Sequence, residues 1–207
     1  RNWGVPTGRK DKCHLSVLLC PTVPKPGVFP IGPEDEPLLA RIPGSPGHFS
    51  QSKWFAFGFD AWEGPSGEDA AMHVHFEETG FLEFGRDLHW DREENALLLD
   101  RVEWRVRAGT SHLLSLLLAK GYSGTAQLAV CFNGVQGTTL ESRTRFWDFL
   151  DRDIVYREPG PLLIDLPVEL PQAAGRADEH AGEIMCRLCR AYNIPITGAW
   201  SFQDSAA

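Results

Sequence analysis

Residues 72–85 read MHVHFEETGFLEFG, and their alternation restricts the fold more than any other feature of the chain. Side chains along a strand point to opposite faces in turn. Val74 and Phe76 therefore face one way, and His73, His75 and Glu77 the other. Glu78-Thr79-Gly80 supplies a tight turn in which glycine takes positive φ, and FLEFG returns as the partner strand. The pattern predicts a β-hairpin with an apolar and a polar face.

The flanking sequence adds strands on both sides. CHLSVLLC (13–20) is apolar and partly β-branched, which predicts a buried strand. Prolines at 21, 24, 26, 30, 33, 37, 43 and 46 bar a central strand or long helix from the next stretch. One helical turn near EDEPLLARI interrupts this meander, whose interleaved apolar residues pack it on the domain. KWFAFGFDAW (53–62) alternates as one strand before the turn cluster EGPSGED.

Two periods compete over residues 96–120. RVEWRVRA alternates as a strand would, yet Leu99, Val102, Val106, Gly109, Leu113 and Leu116 recur at helical three-four spacing. The helical period extends through HLLSLLLAKG and ends at Gly121, a C-cap glycine. The expectation is a helix over Leu97–Lys120 with Arg101, Glu103 and Arg105 on its charged side. TAQLAVCFNGV (125–135) predicts a central strand, and DIVYREPGPLLIDLPVEL further extended segments broken at Pro159-Gly160-Pro161. Asp178 is the expected N-cap of a last helix, Glu179–Asn193, burying Ala181, Met185, Leu188 and Tyr192.

These elements predict an α+β fold, a two-layer α/β sandwich with a mixed sheet, a β-hairpin, one long helix and a C-terminal helix. The organisation is a Pro-rich arm with one strand (1–50), an α/β domain (51–198) and a frayed tail (199–207). The 207 residues, with seven tryptophans and twelve phenylalanines, supply a proper core. Beginning at Arg1, the chain reads as a piece excised from a longer protein.

A net charge of −8 argues against a sequence-independent grip on nucleic acid, which needs a basic surface. Arg101, Arg105 and Arg107 form a local basic patch, for which a solvated helix face outweighs anion binding. The longest apolar run, Leu113–Ala119, is too short to span a membrane, and no signal peptide is evident. Five scattered cysteines suit a reducing compartment.

Several residues are candidates for chemistry. His73 and His75 share one strand face and, with Glu77, form a candidate zinc site, to which Glu83 or His89 adds a donor. No third ligand falls at a recognisable spacing, so an exposed polar face is the stronger reading. Cys186 and Cys189 form C-x-x-C mid-helix, where two small packed residues outweigh a redox pair. Asp148, Asp151 and Asp153 suit a solvated turn better than a magnesium site. Trp54, Phe57 and Trp62 suit core better than a ligand pocket. Walker, G-x-G-x-x-G, G-x-S-x-G and H-E-x-x-H patterns are absent.

One family resemblance rests on the order of HVHFEETGFLEFG, LLSLLLAKGYSG, TAQLAVCFNGVQG, RTRFWD, LIDLPVELP and AGEIMCRLCRAYNI, over roughly residues 50–195. In this order the chain resembles the region that follows the Schlafen-like AlbA-type domain in actinobacterial proteins described as DNA-binding or ATP-binding. The resemblance implies a bacterial, cytoplasmic protein whose nucleic-acid or nucleotide function sits in a preceding domain. It assigns no site residue here. The expected function is a non-catalytic accessory, sensing or oligomerisation domain of a regulatory or defence protein. Its partner would be a second copy or the preceding domain, with no membrane contact. The alternative is a metal-dependent hydrolase or nuclease built on His73, His75, Glu77 and Asp91.

Overall fold

A computed structural model describes residues 13–64, 71–88, 90–91, 96–141, 154–196 and 200. The expectations for residues 1–12, His89, Asp148, Asp151, Asp153, the RTRFWD segment and the tail from 201 lie outside the described residues, as does the side chain of Asp91.

The hairpin forms as the alternation requires. Strands Met72–Glu77 (β4) and Leu82–Asp87 (β5) pair antiparallel, with Val74 opposite Phe84 and His75 opposite Glu83. Gly80 turns the chain at φ 87°, its amide donating to the Glu77 carbonyl. A Cβ there would lie 2.5 Å from Pro21 Cγ, so both conformation and space require glycine.

Around this hairpin lies a seven-stranded sheet. His14–Pro21 (β1) pairs with β5 on one side and with Thr125–Asn133 (β8) on the other. Leu162–Glu169 (β10) closes one edge beyond β8. Pro167 sits in that edge strand, where a missing amide donor is tolerated. On the other side Gly58–Glu63 (β3) pairs with β4, and Gln51–Phe55 (β2) forms the far edge. The sequence reading of 53–62 as one strand is corrected here. Phe55 pairs with Gly58, so the chain reverses at Ala56-Phe57. A Cβ on Gly58 would come within 2.2 Å of the Phe76 carbonyl, which fixes glycine at the reversal.

Every pair in the large sheet is antiparallel. The mixed pairing expected from sequence is confined to a small second sheet of Trp90–Asp91 (β6), Ala96–Leu98 (β7) and Thr139–Glu141 (β9). There β7 runs parallel to β9 and antiparallel to β6.

Helices cover one face of the large sheet. The two-period conflict resolves to β7 followed by a helix over Leu99–Ala119 (α2). The three-four stripe wins because it persists for five turns, longer than any strand alternation in the segment. Leu15, Val17 and Leu19 of β1 and Leu82 and Phe84 of β5 are buried on the covered face. The meander adds a 3₁₀ turn (Pro33–Asp35) and the short helix Glu36–Leu39 (α1), with Phe29 and Leu39 fully buried in the same core.

The C-terminal helix spans Ala177–Ala191 (α4), after the four-residue helix Gln172–Gly175 (α3). It begins earlier than expected, with Arg176 at the cap. Asp178 lies inside the first turn and makes a bidentate pair with Arg107 of α2. Ala181, Met185, Leu188 and Tyr192 are buried as the stripe requires. Arg105, expected on the charged side of α2, is instead buried, with 3 % exposure. It lies between Val102 and Gly109 on the helix surface, inside an apolar face wider than the stripe suggests. Among the described residues no helix is long and apolar enough to cross a membrane.

Candidate functional site

The face of the large sheet opposite the helices gathers polar side chains from four strands. Alternation turns His14 and Ser16 of β1 away from Leu15 and Val17. Register then builds rows across the sheet. One runs Cys131, Ser16, Gly85, His73, Trp62, and the next Ala129, Leu18, Glu83, His75, Asp60, Lys53.

Glu83 is the hub of the β1 side. Ser16 Oγ donates to Glu83 Oε1 at 2.8 Å, and His73 Nε2 lies 3.5 Å from the same oxygen. The His73 ring lies across Gly85, where a Cβ would meet ring carbon Cε1 at 2.1 Å. It stacks on His14 with centroids 5.6 Å apart and planes 7° from parallel. His14 Nδ1 sits 3.2 Å from Asp87 Oδ1, while its Nε2 is buried without a partner. Burial alone would raise the Glu83 pKa, but the hydrogen bond and charge of His73 and the Ser16 hydroxyl outweigh it, and the carboxyl is held below its ordinary value.

His75 centres the second group. Its Nδ1 meets Asp60 Oδ1 at 2.6 Å and its Nε2 meets Glu77 Oε1 at 3.4 Å, while Thr79 Oγ1 donates to Glu77 Oε2. Phe55 stacks on the imidazole with centroids 5.3 Å apart, and Phe81 tilts against it at 5.8 Å. Burial would lower the His75 pKa, but hydrogen bonding and charge from Asp60, then Glu77 and Glu83, raise it above its ordinary value.

The structure thus divides the expected zinc trio. His75 and Glu77 come together with Asp60, whereas His73 turns to Glu83 and His14. Both nitrogens of His75 face carboxylates, an arrangement that favours the imidazolium and leaves no lone pair for a metal. Among the described residues no group of three or more His, Cys, Asp or Glu side chains is arranged to hold a metal ion. The Ser16 hydroxyl donates to a carboxylate held below its ordinary pKa, a weaker base than an imidazole for making it a nucleophile.

The remaining candidates separate as well. Trp54 lies on the helix-covered face against Phe59, Trp62 on the opposite one, and Phe57 is 68 % exposed at the reversal. Cys186 and Cys189 are buried, and burial pushes Cys189 up to about 12, away from redox reactivity.

Sequence reasoning missed His14, Ser16 and Asp60. The signal for the first two was present in CHLSVLLC, where two polar residues alternate with leucine and valine. Asp60 was hidden by reading two strands as one. No family model, curated protein or solved structure matches this chain.

Proposed function

We propose that this chain is a non-catalytic accessory domain of a bacterial regulatory or defence protein, acting in the cytoplasm through sensing or self-association. One observation carries the reading: the imidazoles of His73 and His75 and the Ser16 hydroxyl are engaged by carboxylates on their own and neighbouring strands. Groups so paired hold a surface in one arrangement and are poorly placed to accept a substrate proton. The resemblance to the region after Schlafen-like AlbA-type domains supplies the context, with any DNA or ATP binding assigned to a preceding domain.

The rival reading is a metal-dependent hydrolase or nuclease at His73, His75 and Glu77, which requires His75 to leave Asp60 or Glu77. Single-stranded DNA, RNA and a phosphodiester ester, each with zinc, manganese or magnesium, test the two. The accessory reading expects no metal-dependent turnover that distinguishes the native chain from the His73→Ala/His75→Ala double variant. Turnover lost in that variant would establish the hydrolase instead. Sedimentation over a hundredfold concentration range checks self-association, and a strict monomer throughout would remove that version.

A further inference from the structure

Arg105 of α2 is 3 % exposed, and its Nη1 is buried without a hydrogen-bond partner. A guanidinium carries five donors and stays charged, so burying one of its nitrogens without an acceptor costs free energy that a bound acceptor recovers. Two more guanidiniums lie near. Arg86 of β5, half-buried, places Cζ 5.6 Å from the centre of the Trp104 ring, and Arg101 is exposed one turn before Arg105. Burial and the charges of Arg86 and Arg101 press the Arg105 pKa down to about 10, and Asp87 is the carboxylate that opposes them.

Like charges held together inside an acidic chain need a counter-charge. Among the described residues Asp87 is the carboxylate that opposes these charges at Arg105, and it is also shared with His14. Arg107, the neighbouring cation, is already spent on Asp178. Arg101 is exposed, Arg86 half-buried and Arg105 buried.

We propose that Arg86, Arg101 and Arg105 form a binding site for a phosphate group, either free or carried on a small molecule. A phosphate brings negative charge to this cluster of cations, and its oxygens match guanidinium donors in a way a single chloride does not. This site uses none of the sheet-face residues, so it stands or falls separately from the accessory-domain reading.

The test is calorimetry and thermal unfolding of the full chain with inorganic phosphate, pyrophosphate and phenyl phosphate, against chloride at matched ionic strength. Saturable binding is expected, with Tm raised by about 5–10 °C at a hundredfold excess over Kd. Tighter binding of phenyl phosphate assigns a carried phosphoryl group, and tighter binding of inorganic phosphate assigns the free ion. Arg101→Gln, at an exposed position, is expected to bind about tenfold more weakly while keeping the native fold. Arg105→Met should lose the phosphate effect yet match or exceed the native Tm in chloride alone. If Arg105→Met does not fold, Arg86→Gln takes its place. No saturable response in the native chain would overturn the proposal, as would native-like binding by both Arg101→Gln and Arg86→Gln.

Discussion

Glu83→Ala is expected to destabilise the fold by about 3 kcal/mol at neutral pH, measured by urea unfolding, because it strands two partners at once. Paired buried charges often gain little, since desolvation cancels the attraction. Here the direction of the shift settles the balance: Glu83 is held below its ordinary pKa despite burial, so its partners outweigh the desolvation. The Ser16 hydroxyl, only 4 % exposed as a residue, would lose its acceptor, and His73 its carboxylate. Glu83→Gln keeps an acceptor for Ser16 and should cost only about 1 kcal/mol. The sign with pH follows from the lowered folded pKa. The stabilisation is fully present above the unfolded value near 4.5 and is lost as pH falls through the folded value. The gap between native and Glu83→Gln chains should therefore close as pH falls below about 4.5.

Gly109→Ala should destabilise by about 2 kcal/mol, although alanine is the better helix former by about 1 kcal/mol. Gly109 lies where α2 crosses β1 and β5. A Cβ there would stand 2.8 Å from Phe84 Cδ1 and 2.9 Å from Val17 Cγ2. Both side chains are fully buried and paired across the sheet, so neither has room to yield. Overpacking of this kind outweighs the propensity gain. Val17→Ala alone leaves a cavity, but combined with Gly109→Ala it should recover more than 1 kcal/mol of coupling in a double-mutant cycle. Additive losses would show that the helix does not approach the sheet this closely.

The local features were legible because their chemistry is local. Period-two alternation and a positive-φ glycine determine the 72–87 hairpin, and the stripe from Leu99 to Leu116 determines α2 whatever its neighbours do. The turn at Ala56-Phe57 was not legible, since neither residue favours a reversal and the determinant is the space around Gly58. Arg105 was misread because a charged residue at the margin of an apolar face has no sequence signature of its burial. The candidate site was legible only in part. Alternation places His73, His75 and Glu77 on one face, but it cannot say which strand lies beside them. Glu83 meets Ser16 across 67 positions, and His75 meets Asp60 across 15, through strand order that no local pattern encodes.

That strand order makes His75 the most direct probe of the account, which holds that His75 is an ion-paired partner of carboxylates rather than a metal ligand or base. Its raised pKa contributes stability that is fully present below the unfolded value near 6.5 and is lost as pH rises through the folded value. The measurement is an imidazole ¹⁵N titration of the native chain by NMR, with His75 assigned through His75→Gln. The predicted result is a His75 midpoint above 6.5, with both ring nitrogens protonated below it. A midpoint at or below 6.5, with one nitrogen unprotonated in neutral buffer, would contradict the account.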